Sequence, residues 1–392
     1  MTDSQKKIKL LFRHRSMEMG GVEKVMLSIV NNLNPEKFEI TVCLNLNQGE
    51  LRNEFPPHIR KLYLAEGKED FSKNIILQKI QLYQRKKKLE KLRKNPGIID
   101  KQHLKEYFDI EIGMTYNDFE SVLNSSNKNS KKIGWFHSEI NVPGLKPLLP
   151  EILKQFPQFD VMVYCSQKIK DLMHIHHPDL HFPREKVIIN AISIEEIKVK
   201  AAEKIEAFSE KPSFVSVGRL HYRKGYHKLI KAHKKLIREG HDHQILIVGE
   251  GEHRQNLEKL IKENKVERTF ILLGNKMNPY PYIKNADFFI LPSESEAWPL
   301  VIAEALILQK PIIATDTGDV SMMIAPEKTG ILIPYKVEEM YYSMKRFLTD
   351  KPLISEIKSN LQNIEDQFDN KKIFESIEIM MEQILENCGK LD

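Results

Sequence analysis

Short apolar runs alternate with amphipathic stretches along the whole chain. In the first half, the runs at 9–13, 38–45, 59–64, 108–114, 131–136, 160–166 and 186–190 predict strands. Helical periodicity fills most of the gaps, most clearly at 22–33 and 72–94. In the second half, strands are predicted at 213–218, 244–249, 269–274, 287–292, 311–315 and 330–334. Helices are predicted near 224–239, 252–264, 299–309 and 337–349. Apolar runs of strand length, separated by amphipathic helices, are the pattern of parallel sheets covered on both faces. Two such series predict an α/β chain of two doubly wound, Rossmann-like domains. The polar stretch around 192–211 carries no strand pattern and marks the boundary. The expected domains are 1–195 and 196–370, with a C-terminal helix in 371–392 packing back on the first.

Length agrees with this division, because 392 residues exceed one ordinary core. The net charge of +6 is mild for such a chain and does not imply a nucleic-acid partner. Cys43, Cys165 and Cys388 are far apart with no C-x-x-C, which points to reduced thiols and a cytoplasmic setting. The N-terminal run IKLLF is too short for a signal peptide, and no run approaches the ~20 apolar residues that span a bilayer. The charge is uneven, however. Residues 84–94 read QRKKKLEKLRK, while the tail beyond Ile354 is acidic. With Tyr83, Leu89 and Leu92 interleaved, the 72–94 helix suits peripheral contact with an anionic membrane on its cytoplasmic side, and equally a solvated face.

In open α/β sheets, ligands bind outside the carboxyl ends of the strands, so the loops there carry the candidate chemistry. The loop 249-GEGEHR-254 has two glycines of a dinucleotide fingerprint, but Arg254 replaces the third and no acidic residue ends the next strand. It reads as a tight turn. In 218-GRLHYRKG-225, Arg219 and Lys224 follow a strand, and a guanidinium fork beside an ammonium suits a diphosphate. Gly20 and Gly21, before an amphipathic helix, allow backbone to approach an anion. His137 ends a strand and can hydrogen-bond a hydroxyl or phosphate. The clusters His174, His176, His177 and His241, His243 lack zinc spacing and read as solvated. Glu296 lies in a loop, and Glu304 lies eight residues on, in the second turn of the following helix. Their separation, up to ~12 Å at helical rise, suits the two ends of a nucleotide-sugar. The helix start between them offers N–H groups to a diphosphate.

The pieces G-R-x4-K-G (Gly218 to Gly225), ILIVGEGEHRQNL, NADFFILPS (Asn285 to Ser293) and E-x7-E (Glu296 to Glu304) occur together and in this order. Here the sequence resembles retaining glycosyltransferases of family 4 (glycosyl transferases group 1), which have the GT-B fold. The likeness runs almost throughout 212–335. In the first half it rests on Gly20-Gly21-x-Glu23 and His137. It implies two domains facing each other across a donor-binding cleft. Arg219 and Lys224 would bind the donor diphosphate, Glu296 the sugar hydroxyls and Glu304 the ribose. His137 would touch the sugar from the other domain, and Gly20 and Gly21 would close over the phosphates. Catalysis would fall to Glu296, His137, Arg219 and Lys224. One departure is E-A-W-P where many members have E-G-F-G. Pro299 removes an N–H, leaving Leu300 or Val301 to meet the ligand, and Trp298 adds bulk near the sugar.

The expected activity is transfer of a sugar, with retention, from a nucleoside diphosphate-sugar (a UDP-sugar) to a hydroxyl of a glycan, a lipid-linked saccharide or another cell-envelope acceptor. A nucleotide-sugar epimerase and a catalytically silent binding scaffold are the alternatives. No cofactor and no metal are expected. The chain has no D-x-D motif, and Asp319 of 316-DTGD-319 is read as a helix N-cap.

Overall fold

The computed structural model of the chain describes residues 6–137, 140, 145–205, 210–362, 364–368 and 370–386. Cys388 lies outside them. The chain forms two compact units. The first runs to Ala191 and resumes at Asn370, and the second is the segment between.

Unit 1 holds a seven-stranded sheet in the order β3-β2-β1-β4-β5-β6-β7. Its strands are β1 (Ile8–His14), β2 (Phe38–Asn47), β3 (Arg60–Glu66), β4 (Ile110–Gly113), β5 (Lys131–Phe136), β6 (Val161–Tyr164) and β7 (Arg184–Val187). Every pairing is parallel, as in Leu10 opposite Ile110. Unit 2 holds a six-stranded parallel sheet in the order β10-β9-β8-β11-β12-β13. These are β8 (Ser213–Val217), β9 (Gln244–Val248), β10 (Phe270–Gly274), β11 (Phe288–Leu291), β12 (Ile312–Thr315) and β13 (Gly330–Ile333). The central strands are buried on both faces, which is why they read as unbroken apolar runs. In each unit the strand order reverses once, at β1/β4 and at β8/β11. Those reversals open a crevice at the carboxyl edge and mark where a ligand fits.

The predicted strands recur with small shifts at their ends. β7 starts earlier than the run 186–190, because it is an edge strand whose residues alternate between half-buried and exposed. The predicted 72–94 helix is Ile75–Lys94. It is capped by Asn74, whose side chain accepts the N–H groups of Ile76 and Leu77. Its Leu89 and Leu92, interleaved with the cations, face inward. They pack with Ile99, Leu104 and Phe108 in the core of unit 1. The exposed apolar side chains lie earlier, at Ile75, Ile76, Leu77, Ile80 and Tyr83.

The helix Asn370–Glu386 belongs to unit 1. It buries Ile377, Met380, Met381 and Ile384 there. Its polar face is tied by Lys37, whose Nζ lies 3.2 Å from Glu378 and 2.9 Å from Glu382. No described helix is long and apolar enough to cross a membrane.

Candidate active site

In unit 2, three loops at the carboxyl edge are locked together by close backbone contacts. Gly225 has φ +70, and a Cβ there would lie 1.8 Å from the Pro292 carbonyl oxygen. Gly318 has φ +56, and a Cβ there would lie 2.3 Å from the carbonyl oxygens of Glu296 and Ala297. Only glycine meets both demands at once. The Glu294 N–H donates to the Arg223 carbonyl at 2.7 Å, and the Asp319 N–H to the Ala297 carbonyl at 2.8 Å. The segment 292–297 is thereby held between the loops after β8 and β12.

This arrangement fixes Glu296. Its Oε1 accepts from Lys224 Nζ at 2.6 Å and from Ser293 Oγ at 2.6 Å. Its backbone N–H donates to Thr317 Oγ1 at 3.3 Å. A largely buried carboxylate beside an ammonium is a stable ion pair, and each group retains hydrogen-bonding capacity for a ligand. Arg219 is not drawn into this pair. It reaches into solvent and lies 3.3 Å from Glu252. The glycines of 249-GEGEHR-254 serve packing, as the turn reading expected. A Cβ at Gly249 would meet the Gly218 carbonyl oxygen at 2.1 Å, and one at Gly251 the Leu220 carbonyl oxygen at 2.4 Å.

The helix after Glu296 is Leu300–Ile307, with Pro299 extended at its N-cap. Leu300 and Val301 are its first two residues, where backbone N–H groups have no partner within the helix. Trp298 is buried. Glu304 is also buried, 2% exposed, and the Tyr280 hydroxyl donates to it at 3.3 Å. Burial and then Glu304 push the Tyr280 hydroxyl pKa up. Asp319 stands at the N-cap of Val320–Met323, but its side chain makes no cap hydrogen bond. The expected capping role is therefore corrected: Asp319 contributes its backbone N–H to the 292–297 clasp.

In unit 1, β1, β4 and β5 are neighbours, and their carboxyl ends carry His14, the turn with Asp118, and His137. His137 Nε2 is out of solvent and has no hydrogen-bond partner among the described residues. Burial, with the charge of His14 adding, pushes the His137 pKa down to about 3, so its ring is neutral. Gly20 is the extended N-cap of Gly21–Asn32. Its φ is ordinary, so conformation does not demand glycine there. The only atoms a Cβ would crowd belong to the end of the flexible Glu23 side chain, whose Oε2 would lie 2.2 Å from it, so the approach there is one between Glu23 and the loop and not a backbone demand for glycine.

Residues 198–364 match the family model described as glycosyl transferases group 1. That match takes in Arg219, Lys224, Glu296 and Glu304. This segment is a glycosyltransferase domain of group 1. An N-acetylgalactosamine-N,N'-diacetylbacillosaminyl-diphospho-undecaprenol 4-alpha-N-acetylgalactosaminyltransferase of Campylobacter jejuni is 28% identical over 91% of the chain and 95% of its own length. An uncharacterized glycosyltransferase of Methanocaldococcus jannaschii is 28% identical over 51% of the chain. The chain spans 53% of that protein, about half. Among solved structures, Anabaena HepE in complex with UDP and glucose superposes with a TM-score of 0.74 at 17% identity, covering 96% of this chain and 99% of that one. Sucrose-phosphate synthase from Thermosynechococcus elongatus gives 0.75 at 14% identity, covering 97% and 100%. The fold is thus GT-B, with two Rossmann-like units.

Within the glycosyltransferase domain, the motif spacing located Lys224 and Glu296 but not their supports. Ser293 lay inside the quoted motif and could have been read as a partner of Glu296. Thr317 and Tyr280 carry no local signal. They meet Glu296 and Glu304 only through the order of strands β8-β11-β12 and the packing of Tyr280–Asn285.

Proposed function

We propose that the protein transfers a sugar from a UDP-sugar to a hydroxyl of a lipid-linked saccharide or other envelope glycan, with retention at the anomeric carbon. The observation that carries this reading is the Lys224–Glu296–Ser293 cluster, clasped by Gly225 and Gly318 beside the start of Leu300–Ile307. Lys224 and Arg219 stabilise charge developing on the leaving diphosphate, together with the N–H groups of Leu300 and Val301. Glu296 receives the sugar hydroxyls and Glu304 the ribose. In unit 1, neutral His137 bonds a sugar hydroxyl, and the Gly20–Gly21 loop approaches the phosphates. The acceptor oxygen bonds to the anomeric carbon on the face the diphosphate leaves. The acceptor proton passes to the leaving phosphate oxygen, so no carboxylate nucleophile forms a bond. No metal enters, because the two cations and the helix start offset the diphosphate charge.

UDP is supported by the nucleotide solved with HepE. A lipid-linked acceptor is supported by the diphospho-undecaprenol named for the Campylobacter relative. Such an acceptor suits docking on the cytoplasmic face of an anionic membrane through Ile75–Lys94.

The test is a donor screen by thermal shift, followed by mass spectrometry of products with candidate acceptors. Glu296→Ala should lower kcat by about a hundredfold or more with the fold intact. Wild-type turnover by that variant would overturn the site. Activity should survive exhaustive EDTA treatment, and restoration by Mg²⁺ or Mn²⁺ after a loss would refute the metal-free mechanism.

A further inference from the structure

The carboxyl edge of unit 1 holds a charge cluster that the proposed reaction does not use. His14 ends β1 and is 4% exposed. Its Nδ1 lies 2.9 Å from Asp118 Oδ2, and its Nε2 lies 3.3 Å from Glu23 Oε1. Asp118 is fully buried in the turn after β4, where Thr115 Oγ1 also donates to its Oδ2 at 2.7 Å. Glu23 sits in the first turn of Gly21–Asn32. One imidazole thus faces a carboxylate at each ring nitrogen, an arrangement that uses both nitrogens as donors and so requires the charged ring. Burial opposes that charge, but Asp118 and then Glu23 outweigh it and push the His14 pKa up to about 10.

The cost of burying His14 and Asp118 and half-burying Glu23 needs an explanation. A sheet does not need them, since β1 and β4 already pair along Leu10–Arg13. What the cluster adds is a tether beyond the strand ends. Glu23 is the arm: its Oε1 meets His14 while its Oε2 lies against Gly20.

We propose that His14 is a positioning residue: its imidazolium bridges Asp118 and Glu23 and so fixes the Gly20–Gly21 loop against the end of β4. The groups that face it are Asp118 from the turn after β4, Glu23 from the helix after β1, and His137 after β5, whose neutral state its charge reinforces. The proposal rests on the donor reading of the glycine loop. Without the clamp the loop is free to move, so donor binding weakens more than the chemical step does.

The experiment uses the full chain with isotopically labelled histidine. NMR titration should find the His14 ring protonated at pH 8 and the His137 ring neutral at pH 5. In His14→Gln the His137 midpoint should move up, toward the ordinary histidine range. Donor KM should rise by roughly tenfold, the loss of one charge-assisted bond, with a much smaller change in kcat. Should His14→Gln fail to fold, Glu23→Ala removes only the arm, keeps the buried His14–Asp118 pair, and should raise KM likewise. A neutral His14 at pH 7 would overturn the clamp. So would an unchanged KM in both variants, or an unmoved His137 midpoint in a folded His14→Gln. If the wild type binds no sugar nucleotide, the proposed function fails while the NMR titration still decides whether His14 is a charged bridge.

Discussion

Gly225 and Gly240 both have positive φ, +70 and +85, yet their surroundings differ. Around Gly240 nothing lies within 4 Å of a Cβ, whereas at Gly225 the Pro292 carbonyl would overlap it. Gly240→Ala therefore meets only left-handed backbone strain, about 1–2 kcal/mol. Gly225→Ala meets the same strain plus displacement of the 292–297 segment, and should cost on the order of 3–5 kcal/mol. It should also cost activity, because Lys224 and Glu296 lie on the two segments pushed apart. Urea unfolding of both variants with donor kinetics checks this, and equal losses would show that the clasp is not built on Gly225. The same comparison explains what was legible at this scale. Lys224 and Glu296 were visible because their loops follow strands with a fixed spacing. His14 was not, because a histidine closing an apolar strand gives no sign of partners 9 and 104 positions away.

At the scale of elements, periodicity located the strands and the long helices because burial imposes a pattern on them. It was weaker where burial is partial, as at β7, and where helices are short, as at Tyr280–Asn285. Ile75–Lys94 shows what a basic pattern leaves open. The interleaving of Leu89 and Leu92 with the cations does not decide whether those leucines face lipid or the core. Leu89 and Leu92 hold the helix to unit 1, and the unburied apolar residues cluster near its N-terminus. If the helix docks on lipid, Ile75, Ile76 and Ile80 are the insertion residues, and Lys86, Lys87 and Lys88 supply roughly 1 kcal/mol each near an anionic surface. Replacing those three isoleucines with serine, or reversing the three lysines, should each reduce sedimentation with phosphatidylserine vesicles. The isoleucine variant should lose binding at high salt as well as at low. Equal sedimentation of both variants and wild type would refute docking by this helix.

At the scale of the whole molecule, the buried histidines make the two units respond differently to pH. In unit 2, His233 Nδ1 lies 2.8 Å from His243 Nε2, with Thr269 Oγ1 and the His241 carbonyl, also at 2.8 Å, completing a buried chain. Burial pushes the His233 pKa down to about 3, and that of His243 down as well. In unit 1, His137 is pushed down to about 3 and His14 up to about 10. A histidine with a depressed folded pKa stabilises above the unfolded value near 6.5, and that contribution is lost as pH falls. A histidine with a raised pKa stabilises below 6.5, and that contribution is lost as pH rises toward the folded value. Each such group changes stability by about 1.4 kcal/mol per pH unit within its window. From pH 6.5 to 5, both units should weaken, unit 2 more steeply because it buries two depressed histidines, His233 and His243, against His137 in unit 1. From pH 6.5 to 8, unit 1 should weaken through His14 while unit 2 holds. Each unit contains one tryptophan, Trp135 in unit 1 and Trp298 in unit 2. Trp298→Phe leaves a fluorescence reporter for unit 1, and Trp135→Phe leaves one for unit 2. Urea midpoints of the two variants at pH 5, 6.5 and 8 separate the responses. Parallel midpoints from pH 6.5 to 8 would mean that His14 carries no charge in the folded chain, and the bridge to Asp118 and Glu23 would then have to be neutral.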